Sequence, residues 1–380
     1  MEIYLDNSAT TKIFPSVAST VLKVMQEDYG NPSSLHKKGV EAEYYLKETR
    51  EILAKILKVT PKEILFTSGG TESNNTALIG AAMALKKRGN HIISTNFEHA
   101  SVYNPLLYLK ESGFDITFLP VTKEGKIEVN DLEQAIREDT ILVSVMHVNN
   151  EIGAVQELEL LGEAIKKKNK DTLFHVDAIQ SFGKFHMNPK KAKIDLLSVS
   201  AHKIHGPKGV GFLYIKDKTK IKPMIYGGGQ QKGMRSGTDN VPGIAGLGVA
   251  AKEMYDHLEE RNQHMKNCKD HFLNRLQEME GCYYNQGEAP NIISVSFEGI
   301  RSEVLLHALE EKGIYVSSGS ACSSNHPGIS GTLKAIGVRE DLLDATLRFS
   351  LCGENTIEQM DETIEQLKVL LPQLRRFIRK

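Results

Sequence analysis

Seven short apolar runs, alternating with helix-patterned stretches between about residues 50 and 216, constrain this 380-residue chain more than any other feature. E-I-L-F-T-S (63–68), H-I-I-S-T (91–95), D-I-T-F-L-P (115–120), T-I-L-V-S-V-M-H-V (140–148), T-L-F-H-V-D-A (172–178), I-D-L-L-S-V-S-A (194–201) and G-V-G-F-L-Y-I (209–215) read as strands. They are rich in β-branched residues and mostly too short for helices. Between them, V-N-D-L-E-Q-A-I-R-E (129–138) and L-E-L-L-G-E-A-I-K-K-K (158–168) carry helical periodicity. Strands buried on both faces and separated by helices predict an α/β fold with a mainly parallel seven-stranded sheet. Ligands of such sheets sit beyond the carboxyl ends of the strands. A long helical pattern from Pro242 to about Glu280 then leads to a second set of elements. Its strands are 291–297, 314–319 and 346–351, and its helices are 302–312 and one from about Thr356. The expected organisation is a large domain over 1–255 and a smaller α/β domain over 256–380, with residues 1–15 packing back onto the smaller one.

With 40% hydrophobic and 25% charged residues and a net charge of -1, nothing in the bulk electrostatics argues for a nucleic-acid or membrane partner. The opening M-E-I-Y-L-D-N-S-A-T-T has neither a basic region nor an apolar core, so it is not a signal peptide, and no apolar run reaches membrane-spanning length. The expected location is cytoplasmic. None of the four cysteines forms a C-x-x-C pair, which argues against a zinc or iron–sulfur knuckle. Cys268 lies on a helical pattern, Cys282 beside a turn and Cys352 at the end of an apolar strand. Cys322 differs, because S-S-G-S-A-C-S-S-N-H-P-G-I-S-G (317–331) surrounds it with small, polar, loop-forming residues. Such company suits an accessible reactive thiol better than a structural one, and predicts a mobile loop over 321–331.

The remaining chemistry gathers at strand ends. S-V-S-A-H-K (198–203) puts Lys203 just past a strand, behind His202, and H-V-D-A-I-Q (175–180) puts Asp177 and Gln180 at the end of another. Lysine forms Schiff bases with carbonyl cofactors, and aspartate is the usual partner of a pyridinium nitrogen. Taken singly, a solvated surface lysine and a helix-capping aspartate explain these residues better than a cofactor site does. S-G-G-T-E-S-N-N (68–75) follows a strand and opens a helix, where Gly70 and Thr71 offer a phosphate site or an ordinary capped turn. His99 stands after H-I-I-S-T as a stacking plane or a plain helix-start residue, and Asn150, in V-N-N-E-I-G (148–153), as an amide donor or a turn asparagine. G-G-G-Q-Q-K-G-M-R-S-G-T (227–238) ends on the hydroxyl of Thr238 and suits close approach to a phosphate or another subunit. Arg348, inside the apolar strand T-L-R-F-S-L, needs a carboxylate, its own or a substrate's.

In order along the chain, Y-L-D-N-S-A-T-T, G-N-P-S-S-L-H (30–36), S-G-G-T-E-S-N-N, H-V-N-N-E-I-G, H-V-D-A-I-Q-S, S-A-H-K-I-H-G-P-K-G, G-M-R-S-G-T and S-S-G-S-A-C resemble the cysteine desulfurases. These are the NifS/IscS-like branch of the class-V aminotransferases, fold-type I enzymes dependent on pyridoxal 5'-phosphate (PLP). The resemblance implies Lys203 as the Schiff-base lysine, Asp177 as partner of the pyridinium nitrogen and Gln180 as donor to the ring's phenolate oxygen. It implies His99 stacked on the ring and assisting proton transfer, and a phosphate cup of Gly70, Thr71, Ser200 and His202. Thr238 would reach the phosphate of the neighbouring subunit of a homodimer. Asn150 and Arg348 would fix cofactor and substrate carboxylate. Cys322 would take sulfur from L-cysteine as a persulfide, leaving L-alanine. A sulfur-acceptor protein, a scaffold or a tRNA-thiolation enzyme, would receive it, for iron–sulfur cluster assembly or tRNA and cofactor thiolation. No metal is implied. A selenocysteine lyase or another fold-type I PLP enzyme is the alternative within the class. A non-catalytic sulfur-pathway scaffold is the alternative outside it, and would be expected to lack Lys203 or Cys322.

Overall fold

A computed structural model describes residues 2–318 and 330–376. Cys322 and most of the loop expected around it lie outside the described residues. The strands are β1 (Ile3–Tyr4), β2 (Ile64–Thr67), β3 (His91–Thr95), β4 (Asp115–Leu119), β5 (Thr140–Met146), β6 (Leu173–Asp177), β7 (Leu196–Ser200), β8 (Gly211–Ile215), β9 (Cys282–Asn285), β10 (Ile292–Phe297), β11 (Ile314–Tyr315), β12 (Ser317–Ser318) and β13 (Thr346–Ser350). The helices are α1 (Pro15–Gln26), α2 (Lys37–Leu57), α3 (Gly70–Leu85), α4 (Ala100–Glu111), α5 (Val129–Ala135), α6 (Leu158–Lys168), α7 (Val241–Asp256), α8 (Leu258–Leu276), α9 (Ser302–Glu310), α10 (Gly331–Ala335) and α11 (Ile357–Arg375).

All seven apolar runs form one sheet in the order β2-β8-β7-β6-β5-β3-β4. β8 is antiparallel to both of its neighbours, and every other pairing is parallel. Six strands therefore point the same way, and their carboxyl ends share one edge. One face of the sheet packs on α3 and α4 through Ala77, Leu78, Ala81, Val102 and Leu106. The other packs on α1, α2, α6 and α7 through Val17, Leu53, Leu161 and Leu247. The polar residues buried in this sheet include one that is bonded to the strands on both sides. His175, in the middle strand, bonds to Ser144 Oγ at 2.8 Å and Ser198 Oγ at 3.0 Å on the strands to either side. Burial drives its pKa down to about 3, so it is a neutral crosslink.

A second core lies between the four-stranded sheet β12-β13-β10-β9 and helices α8, α9 and α11. Ile3 and Leu5 belong to it, because β1 pairs in parallel with β11. The long helical pattern after Pro242 is two helices, broken at His257 (φ -121°, ψ 21°). Helix α5 stops at Ala135, where Ile136 turns extended. Cys282 opens the edge strand β9, which the sequence reading placed beside a turn. No helix among the described residues is long and apolar enough to cross a membrane.

Candidate active site

The shared carboxyl edge of the sheet opens into a cavity of about 280 Å³, at the lower end of the range for small-molecule sites. Gly70, Thr71, His99, Asn150, Asp177, Gln180, Ser200, His202, Lys203 and Arg348 all line it. Of the described residues expected at the site, Thr238 alone stands away from the cavity, exposed on its loop.

Each side chain reaches the cavity for a local reason. β6 ends on Asp177, whose buried carboxylate accepts from Ile179 N at 2.9 Å and Asn74 Nδ2 at 2.8 Å. Burial raises its pKa; those two bonds and the charges of His99 and Lys203 oppose the rise without cancelling it. β7 ends on Ser200, and a single 3-10 turn, Ala201–Lys203, swings the lysine over the edge. Lys203 Nζ donates to the carbonyls of Ser8 at 2.5 Å and Ala9 at 2.8 Å, so the N-terminal segment forms one wall. His202 is driven down to about 4 by burial, helped by the nearby charges of Lys203 and Lys208, and is neutral at pH 7.

α3 starts at Gly70 directly after β2, with Gly69 at φ +146° as its cap. Gly70 has no room for a side chain, since a Cβ there would lie 2.2 Å from Ile179 Cδ1. Free amides at such a terminus suit a phosphate. His99 caps α4, its Nδ1 accepting from Ser101 N at 3.1 Å and facing Ser101 Oγ at 2.8 Å. A backbone N–H can only donate, so the neutral ring carries its proton on Nε2. Ser101 Oγ in turn accepts from Asn74 at 2.9 Å, and a hydrogen-bonded chain runs His99–Ser101–Asn74–Asp177. Arg348 enters from β13 of the second sheet. Its Nη1 donates to Asn150 O at 2.9 Å and its Nη2 pairs with Asp6 at 2.7 Å.

Sequence reasoning missed Asn74, Ser101, Glu98 and the Ser8 and Ala9 carbonyls. Asn74 is four residues past Gly70 on one helix face, a spacing that could have found it. Glu98 is half-buried, and its carboxyl is pushed up to about 8, mainly by loss of hydration and further by the charge of Asp177. Its Oε1 accepts from Thr95 Oγ1 at 2.7 Å and Met146 N at 3.0 Å, which leaves the proton on Oε2.

The donor set fits PLP. Gln180 Oε1, Ser8 Oγ and Arg348 Nε are buried polar atoms without a hydrogen-bond partner among the described residues, as expected where a polar ligand completes the wall. A buried carboxylate, a lysine amine and a helix N-terminus lining one cavity match a pyridinium nitrogen, an aldehyde and a phosphate.

Residues 3–363 match the family model for class-V aminotransferases, and the chain belongs to that family of PLP-dependent enzymes. It is 41% identical over 378 residues to the cysteine desulfurase IscS of Dictyoglomus turgidum, covering 98% of this chain and 95% of that one. Among solved structures, a NifS-like protein superposes with a TM-score of 0.94 at 40% identity, over 98% of this chain and all of its own. A structure described as SspA in complex with cysteine gives 0.81 at 34% identity, over 92% of this chain and 99% of that one. At this identity and coverage the relatives support a PLP-dependent cysteine desulfurase.

Proposed function

We propose that this cavity removes sulfur from L-cysteine with PLP, passing it to Cys322 as a persulfide and releasing L-alanine. The observation that carries this reading is the convergence of Lys203, Asp177 and Arg348 on one cavity from three separate strands. PLP, when bound, supplies a sink for the electron pair left when the substrate Cα loses its proton. Lys203 would hold the cofactor at its aldehyde carbon, and its Nζ would be the base for the substrate Cα proton. Asp177 balances a protonated ring nitrogen, with Asn74 and the Ile179 amide holding its carboxylate in place. Gly70, Thr71, Ser200 and His202 cradle the phosphate, and Gln180 and Asn150 fix the ring's oxygen. Arg348 binds the substrate carboxylate. His99 stacks on the ring, and its Nε2 serves proton transfer near the substrate thiol. Cys322, as thiolate, attacks the substrate sulfur; the C–S bond breaks, an S–S bond forms, and alanine leaves.

The same reading makes the protein a cytoplasmic homodimer, in two units divided at 255/256, that delivers its persulfide to an acceptor protein for cluster assembly or tRNA and cofactor thiolation. Large apolar side chains on α1 and α2 and between them are solvent-facing in the single chain, Leu35 at 99% and Tyr29 at 70% exposure, as is Tyr226 at 77%. They support a protein–protein face. Arg50 Nη2 on α2 donates to Gln231 Oε1 at 2.9 Å, which ties the Thr238 loop to α2.

The test is to incubate holoenzyme with L-cysteine and assay alanine and protein-bound persulfide together. Wild type should make both, and Cys322→Ala should keep bound PLP and make almost no alanine. Alanine formation by Cys322→Ala at the wild-type rate would point instead to a lyase that releases sulfide directly.

A further inference from the structure

Among the described residues, one cluster of ligating side chains outside the cavity lining has no part in the chemistry above. We propose that His205, Cys352 and Glu354 bind one divalent transition-metal ion of the zinc class, between the segment after Lys203 and the end of β13. One nitrogen, one sulfur and one oxygen atom of these residues lie within 4.8 Å of one another. An ion at their centre would therefore sit no more than about 2.8 Å from each, and sub-ångström shifts bring it to the ~2.0–2.3 Å of zinc bonds.

The groups around the triad leave the right atoms available. His205 Nδ1 faces the Lys12 carbonyl at 2.8 Å and can only donate to it, so the lone pair is on Nε2. This is the outer bond that orients a metal-ligating histidine. The ring is also held by stacking on Phe14, centroid to centroid 4.2 Å. Burial keeps this imidazole neutral by lowering its pKa. Arg261 Nη1 takes Glu354 Oε1 at 2.7 Å, while Oε2 faces His205 Nε2 at 3.7 Å, so the carboxylate offers one oxygen. The Cys352 thiol lies 3.4 Å from Asn355 Oδ1, and burial beside Glu354 raises its pKa to about 12.

Metal uptake thus forms a sulfur–metal bond and sends the Sγ proton to solvent. Two cations lie nearby, Arg261 and the buried Lys184, whose pKa burial lowers to about 8. The loaded triad of thiolate, carboxylate and dication has no net charge to oppose them. Glu354 is half exposed and gives the ion its entry and an open fourth position. Sulfur and imidazole ligands select zinc-class ions over magnesium or calcium.

The test uses full-length holoenzyme stripped of metal by a chelator and kept reduced with a phosphine. Co2+ is the probe, followed in difference spectra. One equivalent should bind with a sulfur-to-cobalt charge-transfer band and the visible bands of four-coordination, and Zn2+ should displace it. Cys352→Ser should lose the band, Glu354→Gln should weaken binding at least ~10-fold, and Cys322→Ser should change neither. Melting curves and bound-PLP absorbance check folding. If Cys352→Ser does not fold, Glu354→Gln, at a half-exposed position, decides alone. No band in wild type, or a band kept by Cys352→Ser and lost in Cys322→Ser, overturns the proposal.

Discussion

A lysine amine held by two backbone carbonyls is an amine waiting for a better partner. Lys203 Nζ sits on Ser8 O and Ala9 O, and in the proposed reaction it exchanges them for the cofactor carbon. Lys203→Ala should lose the yellow absorbance of the lysine-bound cofactor and the linkage that borohydride traps; a variant that keeps both would exclude the assignment. Glu98 offers a test by titration. Its folded pKa of about 8 lies above the ordinary 4.5, so between those values the folded protein holds a proton that the unfolded chain has released. Stability is then lost as pH rises through that window. Glu98→Gln cannot ionise, and in cofactor-free protein it should be more stable than wild type at pH 8 by on the order of 4 kcal/mol, with the gap closing toward pH 5. Denaturant melts at several pH values measure this; parallel curves would mean that Glu98 ionises without penalty. Residues at strand ends were legible because position and chemistry coincide there, as for Asp177 and Lys203. Glu98 was not legible, since the loss of hydration at its carboxyl exists only once β3 and β5 are side by side. The Ser8 and Ala9 carbonyls are backbone atoms, which carry no signature in sequence.

At the scale of elements, the start of α3 is where geometry is tightest. A methyl group on Gly70 would drive into Ile179, the residue after the Asp177–Ala178 corner. Gly70→Ala should weaken PLP binding roughly tenfold through displacement of that corner, a loss of about 1.4 kcal/mol. Adding Ile179→Ala makes room and should restore most of the affinity. Fluorescence titration of PLP measures both, and failure of the second change to rescue would place the fault in the amides of the turn itself. Six of the seven central strands could be read from sequence because they are buried along nearly their whole length, and the partly buried edge strand β4 because its I-T-F-L run is rich in β-branched and aromatic residues. β9, C-Y-Y-N, is only partly buried along its length, so it lacks that signal. β1, two residues long, exists only as a partner of β11 and carries no signal, while the single strand expected over 314–319 is divided between β11, in that pair, and β12, in the four-stranded sheet. The helix after Pro242 was read as continuous because its apolar period survives the break at His257, which no glycine or proline marks.

For the whole molecule, the decisive prediction concerns the second subunit. Lys203→Ala and Thr238→Asp chains should each be inactive, the second by repulsion between its carboxylate and the phosphate. Verified heterodimers of the two should recover one intact site if Thr238 serves its neighbour. No recovery would mean that Thr238 acts within its own chain. A second sheet after the first was legible, because the strand-and-helix pattern starts afresh after residue 290. How the first residues bind the two cores together was only partly so. Ile3 pairs with Ile314, Ser8 N donates to Ser350 Oγ at 2.8 Å, and Thr11 N donates to His202 O at 2.9 Å. These contacts span 191 to 342 residues of chain. The segment from Ile3 to Thr11 must therefore wait for residues made much later before it can settle, and contacts of such span form late. During synthesis the sheet can form while the wall beside Lys203 is still missing. A nascent chain arrested before Ile314 should hold PLP weakly if at all, so that cofactor capture follows the synthesis of β11 and β13.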